Sequence, residues 1–325
     1  MRRLTLLAGA LVVPVVPLLI AAPAEAVDHV ICVNMPAGTT CDDASPATIT
    51  DAIALANVGT ADDTILVGPG TYTDGPYVLN GSVHHLTLKG SGQGLTILEP
   101  PPGGVQTMVS ANAATLQDVT VRLSATTPIG DQGVFASANA QLDHVTIDGP
   151  GSVSNTGLHL ANGADAAFVS VQLPRTGGGR GVYGEGNTTL TDSDVTAGTA
   201  YGHSSSGLVD TISRVTLRAG TNGIVLDAGT VNVDNSVIDL GTGSGTGLLA
   251  SNTNAGTAAK TINADHVTIV GGGAGSKGAW AWAARPTTLQ TSAITMTSSI
   301  VTGPAVDLRA DAGNDGAQGL SLIHI

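Results

Sequence analysis

The chain has 325 residues and a formal net charge of -13, from 25 acidic and 12 basic side chains. So acidic a surface repels nucleic acid and anionic membranes, and lysine occurs only at Lys89, Lys260 and Lys277, which cannot form a basic stripe. Aromatic residues make up 2% of the chain, too few to fill the centre of a compact globule. Composition therefore excludes a nucleic-acid-binding protein, and the small and β-branched residues favour stacked strands over packed helices.

The first 26 residues have the three-part pattern of a secretory signal peptide. Arg2 and Arg3 form a basic start, Leu4–Ile20 is uncharged and apolar, and Ala24–Ala26 supplies an A-x-A cleavage site. A membrane anchor is the weaker alternative, because prolines interrupt a run of only about 17 residues, near the lower limit for a span. We expect cleavage before Val27, a protein that is secreted or held at the cell surface, and no membrane span in the mature chain.

The two cysteines, Cys32 and Cys41, lie within the segment CVNMPAGTTC. In an exported protein, a close pair separated by a turn-forming segment predicts a disulfide. A metal site would need more ligands than the neighbouring His29 and Asp42. The sequence therefore predicts a disulfide here, and no metal or other cofactor.

The segment Pro46–Gly59 (PATITDAIALANVG) is the one persuasive helix. Thr48 or Thr50 can cap its start, and an apolar stripe runs along one side. The stripe consists of Ile49, Ile53, Leu55 and Ala56. From residue 62 onward every segment is β-like, beginning with a strand at Thr64–Val67 and a Gly-Pro-Gly turn.

The β-like part of the chain is built from a repeat. The run LDHVTIDG at Leu142–Gly149 returns as ADHVTIVG at Ala264–Gly271, and a second strand of the form Gly-apolar-x-apolar, such as Gly157–Leu160, runs in step with it. Aligning the apolar residue that follows the polar pair gives a column with a mean spacing of about 26 residues, which is typical of solenoids. The column is Val119, Val145, Val169, Val195, Val215, Val237, Val267 and Ile300. Such coils bury their apolar sides only by stacking on their neighbours.

Within this repeat, Asp143–His144 is either a catalytic dyad or a bend. The slot of His144 is filled in the other repeats by Asp118, Phe168, Asp194, Arg214, Ser236, His266 and Ser299. A position of the repeat at which acidic, basic, aromatic and hydroxyl side chains all occur is typical of a corner between strands. A bend also explains why Leu142 and Val145 are both apolar although they are three residues apart.

The cap helix, the segment DDTILVGPGTY (Asp62–Tyr72) and the repeating rungs resemble the right-handed parallel β-helix, or pectin-lyase-like, family over about residues 46–308. The resemblance implies an all-β right-handed parallel β-helix solenoid with an N-terminal capping helix. We expect an N-terminal cap over residues 27–61, the β-helix over 62–310 and an irregular or truncated tail over 311–325. The family contains pectate and pectin lyases, polygalacturonases and secreted surface proteins with no known activity.

The catalytic motifs of the enzymatic branches are missing from this sequence. The only adjacent acid pairs, Asp42–Asp43 and Asp62–Asp63, precede the coil stack, whereas polygalacturonase-like members place such a pair on the coils. The closest match to the Arg-x-Pro-x-x-Arg region of pectate lyases is LPRTGGGRG, in which Arg175 and Arg180 have the wrong spacing and which is better interpreted as a flexible turn. No catalytic residue and no cofactor is assigned, and calcium is considered only for the case in which the protein is an enzyme.

Three weaker candidates remain. Asp192 and Asp194 are paired carboxylates or calcium ligands on one interpretation and solvated turn formers on the other. His203, followed by Ser204–Ser206, could form a Ser–His arrangement, although no nucleophile motif supports it. Trp280 and Trp282, two residues apart on one strand face, predict either a sugar-binding platform or packing inside a late coil.

The sequence thus leaves two functions open. The first is a secreted, non-catalytic β-helix protein of the surface or matrix that engages extracellular polysaccharide or the cell envelope. The alternative is a polysaccharide lyase or glycoside hydrolase with a non-standard site on a β-sheet face, which convergence of acids and arginines from three or more neighbouring rungs would favour. The low lysine content relative to arginine is typical of a GC-rich bacterial genome. The final segment LSLIHI has no rung pattern, and we expect truncation or foreign sequence from about Leu320.

Overall fold

A computed structural model describes residues 28–58, 61–123, 132–149, 155–252, 259–283 and 292–312. The predicted signal peptide and the tail beyond Ala312 lie outside the described residues. Within these ranges the chain has one helix, and its strands join in parallel into a 25-stranded arrangement. Strands inside the stack pair with the strand one coil earlier and the strand one coil later, as stacked coils require.

The coils pass through three parallel sheets, called A, B and C, in that order. Two strands bend through the corner between sheets B and C, and two longer strands run through all three sheets; these are β8 (Thr115–Arg122), β10 (Gln141–Asp148), β16 (Asp194–Ser213) and β17 (Thr216–Asp234). The other strands of sheet A are β4 (Tyr77–Asn80), β7 (Thr107–Asn112), β9 (Gln132–Ser137), β11 (Thr156–Ala161), β14 (Arg180–Glu185), β19 (Thr246–Asn252), β22 (Lys277–Ala283) and β25 (Val306–Ala312). The other strands of sheet B are β1 (His29–Val33), β2 (Asp63–Val67), β5 (Leu86–Lys89), β12 (Asp165–Ala167), β15 (Thr189–Thr191), β20 (Lys260–Asp265) and β23 (Ser292–Thr297). The other strands of sheet C are β3 (Gly70–Tyr72), β6 (Thr96–Leu98), β13 (Ser170–Gln172), β18 (Val237–Asp239), β21 (Thr268–Val270) and β24 (Ile300–Thr302).

The core consists of small and branched side chains that stack in columns inside the coils. One buried column on sheet B contains Leu116, Leu142, Ala166, Leu190, Ile212, Val233, Ala264 and Met296. Burial of each larger aliphatic side chain stabilises the fold by roughly 1.5–3 kcal/mol relative to exposure. Because the neighbouring coils supply that burial, no single coil is stable alone.

The predicted bend at Asp143–His144 is confirmed. The corner between sheets B and C turns on one residue with positive φ in each coil, between 47° and 56°: Asp118, His144, Phe168, Asp192, Arg214, Asn235, His266 and Ser298. This residue takes no part in the strand alternation, so Leu142 and Val145 on either side of the corner both point inward. His144 is exposed there, where its Nδ1 lies 2.8 Å from Oδ1 of Asp143 and its ring stacks on Phe168.

The predicted column of aliphatic residues is wrong in three coils. Val195 pairs with Val171 and so lies one inward position further along, while Val237 and Ile300 point outward and are 39% and 61% exposed. Serines occupy the predicted positions instead: Ser193, Ser236 and Ser299. Each of these hydroxyls accepts the buried backbone N–H of the preceding coil and donates to a carbonyl two residues earlier, which explains how a polar residue fits there.

The cap helix α1 (Ile49–Ala56) is shorter than predicted. Thr48 is its N-cap, and its side chain accepts the N–H of Asp51 at 3.0 Å. The helix contacts β1, β2 and β4, and buries Ile49, Ala52, Ile53 and Ala56 against them. Leu55, expected in this stripe, is 37% exposed, because the buried residues are spaced by three and four positions along one face and Leu55 lies outside that face.

The predicted disulfide between Cys32 and Cys41 is confirmed. It joins β1 to the segment that leads into α1, and β1 pairs along its whole length with β2. The first rung of sheet B is therefore covered by a short strand held in a closed loop. No helix in the described ranges is long and apolar enough to cross a membrane.

Candidate functional site

Side chains suited to ligand contact concentrate on the outward face of sheet A. One outward column runs through consecutive coils in uninterrupted register: Ser110, Phe135, His159, Tyr183, Gly202, Val225, Leu249, Trp280 and Arg309. The chain has two Phe, two Trp and four Tyr, eight in all, and four of these lie on this face. In the described ranges, the outward faces of sheets B and C have no such concentration of aromatic residues. Phe168 is the one of the eight that lies at the corner between these two sheets.

Three of these rings form what we call the ring ladder, Phe135, His159 and Tyr183. Neighbouring ring centroids are 4.9 Å apart in both steps, and each pair meets edge to face. The Arg180 guanidinium lies over the Tyr183 ring, 4.9 Å from its centroid. The ring spacing equals the coil spacing, because the residues occupy one position in successive coils.

His159 is held at both ring nitrogens. The amide nitrogen of Gln132 lies 3.0 Å from Nδ1, so that nitrogen accepts and Nε2 carries the proton. Nε2 in turn donates to Oε2 of Glu185 at 3.0 Å. Burial lowers the pKa of His159, and the hydrogen bond and charge of Glu185 oppose this effect only in part. A neutral imidazole therefore orients a carboxylate that is half exposed.

The same cluster includes one hydroxyl pair. Tyr183 Oη and Ser204 Oγ are hydrogen-bonded, which joins β14 to β16 across the outward face. Polar groups from four successive coils therefore converge around the ring ladder: Gln132, His159, Arg180 with Glu185, and Ser204. The sequence missed this cluster, because strand alternation alone does not show which outward positions of distant repeats share a register.

Trp280 and Trp282 both lie on the outward face of sheet A and are half-buried. Their rings stack with centroids 5.3 Å apart and planes at 15°. Lys277 Nζ lies 4.4 Å and the Arg309 guanidinium 5.4 Å from the Trp280 centroid, and Trp280 Nε1 donates to Asp311 at 2.9 Å. Trp280 is thus fixed between a cation and a second indole. Within the described part of the chain, Trp280 is the one ring in contact with Trp282.

The other candidates from the sequence are engaged in structural contacts. Asp192 pairs with Arg214 through both carboxylate oxygens, and Asp194 pairs with Arg218. The two acids therefore face separate arginines and do not form a joint acid site. In the described ranges, no group of three or more His, Cys, Asp or Glu side chains is arranged to hold a metal ion.

The two arginines of LPRTGGGRG also separate. Arg175 donates to the carbonyls of Ala219 and Asp239 at 2.7 and 2.8 Å and so ties this turn to two later coils. The expected flexible turn is therefore anchored at this residue. Arg180 instead begins β14 and contributes to the ring ladder.

His203 and Ser204, considered from the sequence as a Ser–His arrangement, have separate partners. His203 points into the core, where its Nδ1 is 2.5 Å from Asp210, while the neighbouring Ser204 points outward to Tyr183. Asp210 also accepts Tyr201 Oη at 2.7 Å and the N–H of Thr188 at 3.0 Å. This buried cluster replaces the aliphatic side chains of the other coils. Nothing in the spacing of these residues indicated it.

The stacked coils and their three parallel sheets define the fold of the chain as a right-handed parallel β-helix. Pectate lyase Pel9A is similar in structure, with a TM-score of 0.57 and 14% sequence identity over 91% of this chain and 80% of that chain. Weaker similarities are to a GH87 α-1,3-glucanase from Streptomyces thermodiastaticus (TM-score 0.47, 17% identity, 92% of this chain and 70% of that one) and pectin methylesterase from carrot (0.47, 13%, 93% and 90%). No protein-family model and no functionally curated protein matches the chain.

Proposed function

We propose that the protein is exported and binds an extracellular polysaccharide on the outward face of sheet A, without cleaving it. The single observation that carries the proposal is the register column that brings the ring ladder and the tryptophan pair onto one face of a chain so poor in aromatic residues. Aromatic rings pack against the apolar faces of sugar rings, and the neighbouring amide, carboxylate and hydroxyl groups can bond sugar hydroxyls. The similar pectate lyase acts on a ligand of this class.

Export agrees with two independent features. The signal-peptide pattern opens the sequence, and the disulfide Cys32–Cys41 is stable in an oxidising compartment. Polysaccharides of walls and matrices are found in that same compartment. The absence of the catalytic motifs of pectin-lyase-like enzymes from the sequence supports binding without cleavage.

The test is retention in native gels that contain polygalacturonate, xylan, α-1,3-glucan or β-1,3-glucan. We expect at least one polymer to retard the protein, and Trp282→Ala to weaken that retardation about tenfold or more, as loss of a central aromatic contact does. Phe168→Ala is the matched control, since this half-exposed ring lies on a corner column away from sheet A. Absence of retardation by every polymer, or equal loss in the control, would contradict the proposal.

Catalysis is the second candidate function, and one observation favours it. The Gln132–His159–Glu185 chain joins side chains from three neighbouring rungs, and Arg180 lies beside it. The acid and the arginine, Glu185 and Arg180, both belong to β14, so acids and arginines do not converge from three rungs as the sequence criterion for an enzyme requires. Glu185, half exposed and oriented by His159, is the group placed to exchange a proton with a ligand. New reducing ends or unsaturated products that Glu185→Gln abolishes, while polymer binding persists, would establish this function in place of the first.

A further inference from the structure

We infer that the bound polysaccharide lies parallel to the solenoid axis and spans both the ring ladder and the tryptophan pair, so that the protein recognises the interior of a chain and not a chain end or a free sugar. This inference rests on the proposed function. It adds three properties of the ligand: its direction, its minimum length and its repeating unit. All three follow from the strand register that connects the two clusters across the coils.

The two clusters are equivalent in layout. Arg180 and Lys277 occupy the same position at the start of their strands, joined through Thr199, Asn222 and Thr246 in consecutive coils. Each cation lies over the ring that follows it in the central column, Tyr183 in one case and Trp280 in the other.

The carboxylates repeat the same arrangement on the opposite side. Glu185 lies one residue beyond Gly184 in the same strand as Tyr183, and Asp311 lies one residue beyond Ala310 in the sheet A strand of the coil that follows Trp280; Gly184 and Ala310 belong to a single inward column. Each cluster therefore presents a cation, then a ring, then a carboxylate across the strand direction, and in the second cluster the next coil supplies the carboxylate because Trp282 lies beyond Ala281. Two sites with the same order of groups fit two copies of one repeating unit in one orientation, as a linear polysaccharide provides.

The axis of the ligand follows from the central column. Tyr183 and Trp280 are joined by four coil steps, so they are about 19 Å apart at a strand spacing of about 4.8 Å. A sugar residue in an extended glycan advances by about the same distance as one coil, so this span holds about four residues, and five or six are needed to cover both rings.

The surface between the two clusters, which we call the path, carries only small or half-buried side chains in the central column. Its column positions are Gly202, Val225 and Leu249, of which Gly202 has no side chain and the other two are half-buried. A Cβ added at Gly202 would contact both the Tyr183 ring at 3.5 Å and the Arg180 side chain at 3.6 Å, so a substitution there would affect the first cluster itself. Val225 lies two coil steps from Tyr183 and two from Trp280, and therefore offers a position at which the path can be obstructed at a distance from both rings.

The experiment measures affinity as a function of ligand length. The polymer retained best in the gel panel is partly hydrolysed, and fragments of two, four, six and eight residues are titrated by calorimetry. We expect fragments of six and eight residues to bind at least 30-fold more tightly than two-residue fragments, because the second cluster is engaged at a high effective concentration. Tyr183→Ala and Trp282→Ala should each lower the affinity of the eight-residue fragment about tenfold or more, and change two-residue binding by no more than about twofold.

Val225→Trp distinguishes one continuous site from two separate ones. It should weaken eight-residue binding about tenfold and leave two-residue binding unchanged, since it obstructs the path between the clusters. Circular dichroism and thermal unfolding establish that each variant is folded, and Val225→Phe replaces Val225→Trp if the latter is not. If affinity is independent of length, or if only one cluster affects the long fragment, the inference is wrong although binding stands. If no polymer binds at all, the proposed function itself fails.

Discussion

His159 is the buried titratable residue of the outward face, in contact with Gln132, Glu185, Phe135 and Tyr183 and within the field of Arg180. Its pKa is lowered by burial, so between the unfolded value near 6.5 and the lower folded value the unfolded chain binds more protons. The free energy of unfolding should therefore decrease as the pH falls below about 6.5 and level off once folded His159 is protonated.

Urea unfolding at pH 7.5, 6.5 and 5.5 checks this expectation. His159→Gln should lose the part of the pH dependence that this histidine supplies, whereas His144→Gln should keep it, since His144 is exposed at a corner. An unchanged pH dependence in His159→Gln would show that the other histidines and not this one are responsible.

Asp210 is the charged group of the buried cluster in the core. Burial by itself would raise its pKa, but the hydrogen bond and charge of His203, with the bonds from Thr188 N–H and Tyr201, hold it below the usual range. Asp210→Asn leaves His203 beside an amide and should lower the free energy of unfolding by roughly 3–5 kcal/mol. Tyr201→Phe removes one hydrogen bond and should cost about 1–3 kcal/mol. Chemical denaturation measures both, and equal effects of the two changes would contradict the assigned role of the charge.

Gly184 explains how this cluster fits between coils. Its position in the inward column is occupied by Leu160 in one neighbouring coil and His203 in the next. A Cβ at residue 184 would collide with the Asp210 carboxylate and the Tyr201 hydroxyl. The glycine thus makes room for polar side chains that no aliphatic column could accommodate.

At the scale of the elements, the corner between sheets B and C is stabilised in three coils by serine hydroxyls. Ser236 Oγ accepts the buried N–H of Val215 at 3.1 Å and donates to the carbonyl of Asp234 at 2.7 Å. Ser236→Ala should leave that N–H without its acceptor and lower the free energy of unfolding by about 1–3 kcal/mol. Faster hydrogen exchange of the Val215 amide is the local readout.

The control for this change is Ser82→Ala, because Ser82 is exposed in a turn. We expect it to alter stability by less than about 0.5 kcal/mol. A Ser236→Ala variant as stable as that control, with an unchanged Val215 exchange rate, would mean that the hydroxyl only fills space.

At the scale of the whole molecule, the stack of coils requires its first edge to be covered. The Cys32–Cys41 disulfide closes a loop with a sequence separation of 9 and holds β1 on the edge of β2. Removing it by the double change Cys32→Ser and Cys41→Ser should lower the free energy of unfolding by about 2–3 kcal/mol. Wild-type protein with and without reductant is the matched comparison, and a stability insensitive to both would show that β1 pairing alone covers the edge.

The repeat in the sequence sufficed to predict the architecture. Coils poor in bulky side chains bury apolar surface only by stacking, so the repeat predicted an all-β solenoid. The variable position within the repeat predicted the corner at Asp143–His144. The close spacing of the two cysteines predicted the disulfide. The pattern was wrong at Val195, Val237 and Ile300, because a corner serine satisfied by a neighbouring coil is indistinguishable in sequence from an outward turn residue.

Only the tertiary structure decided which side chains meet. Trp280 and Trp282 are two residues apart in the sequence and were predicted to share one strand face, but the ring ladder joins residues 24 positions apart whose register depends on every loop between them. The same holds for Arg180 and Lys277, which share a position across four coil steps. Strand alternation determines which side chains point outward, whereas the lengths of the loops determine which of them face a ligand together.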